Sequence, residues 1–190
     1  MRKIVLASSS PRRKQLLCDA GYEFEVLKTD ADENISVSDP KMLVQELAII
    51  KACAGVKKAK KDCYVIGADT VVCIGNKVLG KPKTKRHARL MLKLLSGRRH
   101  FVYTGVCVFD SNNARMICKY EESSVVFKKL SNKQIREYVD TNEPMDKAGA
   151  YAIQGLANEF VKEVRGEFDN IVGLPMKTLS DILKTLDEEL

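Results

Sequence analysis

The chain has 190 residues, 45% of them apolar and 30% charged, with a formal net charge of +7. That length suits one domain, or two closely joined lobes sharing a core, and the composition is that of an ordinary globular protein. No apolar run approaches the ~20 residues needed to cross a bilayer, and the stretch before Ser8 is too short for a signal peptide, so a cytosolic protein without membrane association is expected. The six cysteines (Cys18, Cys53, Cys63, Cys73, Cys107, Cys118) contain no C-x-x-C pair and are joined by only two histidines, so zinc-ligand spacing is missing and most read as small core residues. The positive charge favours polyanions of any kind, although Lys57, Lys58, Lys60 and Lys61 read as a solvated helix end.

Residues 3–7 predict a short strand. Ser8-Ser9-Ser10-Pro11 follows, with Ser10 placed to cap a helix and Pro11 at its first position; this helix should run to Ala20 and stop at Gly21. A second strand is expected over 23–27, then an acidic loop containing Asp30, Asp32 and Glu33. Asp39-Pro40 opens a second helix whose apolar stripe reads Leu43, Leu47, Ile50 and Ala54. Residues 63–74 are β-rich but interrupted by Asp69-Thr70, and Gly75-Asn76 predicts a hairpin turn closed by residues 78–82. Thr84 caps a third helix ending at Ser96-Gly97, and two long strands over 101–109 and 115–127 flank a turn. Ser131 and Gln134 form a capping box for a fourth helix to about Asp140. Residues 143–155 read as an ordered loop, 159–164 as a strand, and 174–190 as a final helix. Irregular alternation with hairpins implies an α/β fold, a mixed sheet with helices on its faces.

Three places carry chemistry. Ser8-Ser9-Ser10-Pro11-Arg12-Arg13 joins a strand to a helix N-terminus, where free N–H groups, the helix dipole and two guanidinium groups favour phosphate. Asp69, inside an apolar run, is costly unless paired or metal-bound, and could hold a divalent ion or take a proton from water; a hydrogen-bonded structural aspartate is the competing reading. Lys51 lies on the flank of the second helix's stripe beside Val44, and Lys81 follows the hairpin that contains Asp69. With Arg12 and Arg13 they could offset the charge of a triphosphate.

These blocks resemble the Maf family of nucleotide pyrophosphatases, historically linked to septum formation. The matching segments are Leu6-Ala7-Ser8-Ser9-Ser10-Pro11-Arg12-Arg13, Gly67-Ala68-Asp69-Thr70-Val71-Val72, Gly80-Lys81-Pro82, Ser96-Gly97 with Tyr103-Thr104-Gly105, the block from Glu143 to Gly155, and Val172-Gly173-Leu174-Pro175. The resemblance implies residues 1–190 as a single domain with an elongated mixed β-sheet, flanking helices and two lobes around a central cleft, similar to inosine triphosphate pyrophosphatases. It implies hydrolysis of a nucleoside triphosphate between the α and β phosphates, dependent on a divalent cation (Mg2+ or Mn2+). Asp69 matches the family's proton acceptor, and Glu33, Lys51 and Lys81 match other cleft positions; Asp69 and Glu33 become the metal-site candidates. Arg12, Thr70 and Gln154 match positions associated with substrate choice and resemble the dTTP/UTP subgroup rather than the 7-methyl-GTP subgroup. Ser8 and Arg13 join the substrate-binding set. Ala157-Asn158 and Glu167-Phe168-Asp169 depart from the family pattern and bear on loop or dimer contacts, leaving a homodimer open. A basic nucleic-acid-binding or division-control protein is the alternative, but 6% aromatic content and no RNP-type aromatic block argue against specific nucleic-acid recognition.

Overall fold

The computed structural model describes residues 2–188, so the end expected for the last helix, at Leu190, lies outside the described residues. In chain order it contains β1 (Lys3–Leu6), α1 (Pro11–Asp19), β2 (Phe24–Val26), α2 (Pro40–Val56), β3 (Cys63–Ile74), β4 (Lys77–Leu79) and α3 (Lys85–Leu95). There follow β5 (Arg99–Asp110), β6 (Arg115–Phe127), α4 (Asn132–Asp140), β7 (Val161–Arg165), α5 (Phe168–Val172) and α6 (Met176–Glu188). The strands form one mixed sheet in the order β2-β1-β3-β5-β6-β7, with β4 paired to β3. β1 is parallel to both neighbours, Val5 facing Glu25 on β2 and Val65 on β3. The expected hairpin is present, with Gly75 at φ 55° in the turn and Ile74 opposite Lys77.

Four expectations need correction. β3 runs unbroken through Asp69-Thr70, because Asp69 finds a cationic partner and the carboxylate has no reason to break the strand. The loop expected over 143–155 contains two 3₁₀ turns, Glu143–Asp146 and Ala148–Ala150, and a third, Leu156–Phe160, takes the start of the expected strand. A short helix, α5, precedes Gly173. The buried stripe of α2 is Val44, Leu47, Ala48, Ala52 and Gly55, while Leu43, Ile50 and Ala54 are only half-buried. The helix is thus turned by about one position, roughly 100°, from the face that bulk hydrophobicity selects.

Small residues cause that rotation. A Cβ on Gly67 of β3 would lie 2.2 Å from the Ala48 carbonyl oxygen and 2.5 Å from the Ala52 nitrogen. One on Gly105 of β5 would lie 2.1 Å from the Val44 carbonyl oxygen, and one on Gly55 would strike Val65 and Ala7. The α2 backbone therefore rests directly on glycines of β3 and β5, so Ala48, Ala52 and Gly55 face the sheet in place of the larger Ile50.

The chain divides into two compact units. The first takes residues up to Asp69, then 104–121, and those from Gly173 onward. In it α6 buries Leu179, Ile182, Leu183 and Leu186, its Asp187 accepting from the Tyr64 hydroxyl at 2.7 Å. The second takes 70–103 and 122–172. Its core stacks His100, Phe127, Tyr151, Phe160 and Tyr138 in edge-to-face pairs with centroids 4.9–6.1 Å apart.

Gly67→Ala should destabilise the protein by about 1–3 kcal/mol, the usual effect of overpacking a rigid backbone contact. Gly80→Ala, where a Cβ meets nothing within 4 Å, should stay within about 0.5 kcal/mol. Chemical denaturation compares the two, and equal midpoints would mean that α2 does not depend on the close seat.

Candidate active site

The N-terminal site begins where β1 ends. Ser10 occupies the N-cap position of α1, but its side chain makes no capping bond. The Ser8 hydroxyl oxygen instead accepts from the Ser10 N–H at 3.2 Å and from Arg13 Nη1 at 3.3 Å. Arg13 is buried and its Nε donates to the Gly173 carbonyl at 2.7 Å. Burial pushes its pKa down and Arg12 adds to that, while Asp69 and Glu33 oppose it; as a guanidinium it stays charged. Arg13 is thus an internal anchor tying the Ser8 loop to the start of the C-terminal segment. Arg12, half-buried, has no hydrogen-bond or ion-pair partner among the described residues and remains available to an anion.

Lys51, Asp69 and Glu33 meet within the same unit. Alternate residues of a strand share a face, so Asp69 stands two places beyond Gly67 on the side that carries α2. Lys51 lies on the buried face of that helix, between Leu47 and Gly55. Its Nζ sits 2.5 Å from Asp69 Oδ1 and 3.1 Å from Glu33 Oε2. The side chains of Lys51 and Asp69 are only 13% and 14% exposed, whereas that of Glu33 is 52% exposed. One ammonium therefore joins a shielded carboxylate to an accessible one. Lys51, which the sequence suggested as a cation for phosphate, is paired here with the two acids.

The other candidates belong to the second unit. Thr70 follows Asp69 on the opposite face of β3. Lys81 and Gln154 are both exposed and without a hydrogen-bond partner among the described residues. The Gly149 N–H donates to the Gly80 carbonyl at 3.1 Å, which fastens the Gln154 loop to the segment that carries Lys81. Glu143 braces the far side of that loop, accepting from the Tyr138 hydroxyl at 3.0 Å and from the Leu156 N–H at 3.3 Å. A Cβ at Gly155 would lie 2.2 Å from the Glu143 carboxylate, so only glycine leaves room for that brace.

A hard divalent cation suits the donor set. Among the described residues no cluster of three or more His, Cys, Asp or Glu side chains forms a complete protein cage. Mg2+ is ordinarily held by one or two carboxylates together with substrate phosphates and water, and Asp69 with Glu33 supplies such a pair, already converged on one positive charge.

The sequence reading missed two parts. The Gly173 carbonyl that anchors Arg13 lies in the quoted Val172-Gly173-Leu174-Pro175 block, but a backbone acceptor has no side-chain signature. Glu143 opens another quoted block, where its partner Tyr138 lies five residues upstream in α4.

The family described as "Maf-like protein" matches residues 3–186. Three similar proteins bear the name dTTP/UTP pyrophosphatase. That of Thermoanaerobacter sp. (strain X514) is 47% identical over 182 residues, 96% of this chain and 95% of its own. That of Desulforamulus reducens is 46% identical over 191 residues, covering both chains fully. That of Clostridioides difficile (strain 630) is 47% identical over 182 residues, 95% of this chain and 93% of its own.

Proposed function

We propose, because this chain belongs to the Maf-like protein family, that it hydrolyses nucleoside triphosphates, dTTP and UTP first, to the monophosphate and diphosphate. The names carried by relatives that span nearly its whole length support the substrate. The observation that carries the chemistry is the Glu33–Lys51–Asp69 cluster, with Arg12 unpaired in the same unit. The reading treats 1–190 as one functional domain acting on the cytosolic nucleotide pool; no helix among the described residues is long and apolar enough to cross a membrane.

In this mechanism water attacks the α-phosphorus in line with the departing diphosphate. Asp69 accepts the proton of that water, and Lys51 aims it by direct contact. Glu33, the accessible end of the cluster, completes the acidic pair that would hold Mg2+ or Mn2+. A divalent cation, when bound, supplies charge neutralisation for the triphosphate. Arg12 and Lys81 offset charge on the phosphates, and Arg13 with Ser8 holds the N-terminal loop in shape for them. Gln154 reads the base: its amide can accept from N3–H of uracil or thymine and donate to a neighbouring carbonyl, a pattern that cytosine reverses, so the choice requires the amide to be held in one orientation when the base is bound. Thr70 contributes to the same choice.

Purified protein should release diphosphate from dTTP and UTP, and a chelator should abolish that release. Asp69→Asn should fold normally and lose about 10²–10⁴-fold in turnover, the span of a general base. Orthophosphate as the product, or a loss below about tenfold, contradicts the mechanism; preference for 7-methyl-GTP in the same panel contradicts the substrate.

Gln154→Ala should lower kcat/KM for UTP and dTTP by more than for CTP, because a site built on hydrogen bonds rejects a partner that leaves them unmade. An equal loss on all three moves base reading to another residue.

A further inference from the structure

All six cysteines are free thiols, and three of them, Cys53, Cys107 and Cys118, gather in the first unit. β5 and β6 are neighbours joined by residues 111–114. Cys107 stands three places before the end of β5 and Cys118 three places after the start of β6, at equal distances from the turn, as opposed residues of a regular hairpin do. They share the face beneath α2. Cys107 is fully buried in a cluster with Ala48 and Ala52, against which Cys118 packs from the edge. The Cys118 thiol also donates to the Gln45 carbonyl of α2 at 3.7 Å. Directly opposed residues on such a hairpin have Cβ atoms about 4.5–5.5 Å apart, and a disulfide spans about 3.5–4.5 Å, so the bond requires the two strands to close by up to about 1 Å.

We propose that Cys107 and Cys118 form a peroxide-reactive thiol–disulfide pair. Cys118 reacts first, being half-buried where Cys107 is sealed under the helix. The Cys107 thiol donates to the Cys118 sulfur, which holds the Cys118 pKa below the ordinary thiol range against the effect of burial. That hydrogen bond and burial together push Cys107 upward, so it stays protonated until called on. The Cys118 thiolate attacks hydrogen peroxide and breaks the O–O bond, giving a sulfenic acid and hydroxide, which leaves as water. The Cys107 sulfur then attacks the Cys118 sulfur, the S–O bond breaks, and a second water leaves with the Cys107 proton. Two thiols are oxidised and one peroxide is reduced to two waters. Forming the bond withdraws the Cys118 donor from Gln45, so the change is registered by α2. Cys53, on α2 itself, is close enough to act electrostatically on Cys107 and is the competing partner.

Native protein treated with hydrogen peroxide and alkylated is digested with trypsin, which separates Cys107 (peptide 100–115), Cys118 (116–119) and Cys53 (52–57). The expected product is a linkage of 100–115 to 116–119, about 2 Da lighter than the two thiols, reversed by dithiothreitol and lost in Cys118→Ser. A linkage to 52–57, a sulfinic acid on Cys118 with no linkage, or survival of both thiols would each overturn the proposal.

Discussion

The close seat of α2 on Gly67 and Gly105 is the contact on which the rest of the site depends. A side chain at either position would meet the helix backbone at little more than 2 Å, so the approach is available only to glycine. Because the helix lies so near the sheet, the face that turns inward is the one lined by Ala48, Ala52 and Gly55. Lys51 belongs to that face. A lysine on a helix spaced normally from a sheet extends to solvent; here it meets a carboxylate standing two residues beyond the glycine that admits the helix.

Electrostatics follow from that placement. Asp69 is nearly covered, and a covered carboxylate without a partner is destabilising by several kcal/mol in effective terms. Lys51 removes that penalty, and Glu33 extends the cluster to the surface. Arg13 steadies the N-terminal loop of the same unit, as its buried guanidinium bonds Ser8 and the Gly173 carbonyl. Of the four cations singled out in the sequence, Arg12 and Lys81 have no ion-pair partner among the described residues.

Much of this was legible in the sequence, and the exceptions have physical causes. The strand order could not be read from periodicity, but nearly every strand and helix could, since alternation and caps such as Thr84 and Ser131 are local signals. Asp69 stood out because a charge within an apolar run must have a partner. The face of α2 was misjudged because hydropathy rewards Ile50 and Leu43, whereas close packing selects Ala and Gly. The apparent break at Asp69-Thr70 had the same origin, as the partner that allows the strand to continue lies 18 residues upstream. The anchoring of Arg13 by a backbone carbonyl 160 residues away has no local trace at all.

If Lys51 acts through Asp69, a double-mutant cycle on diphosphate release will show it. Lys51→Met, Asp69→Asn and the double variant are compared by kcat/KM, with folding checked by circular dichroism. Residues in one ion pair couple, so the double variant should be no slower than Asp69→Asn alone, within about twofold. Losses that multiply would mean that Lys51 contacts the substrate independently, and would contradict the account.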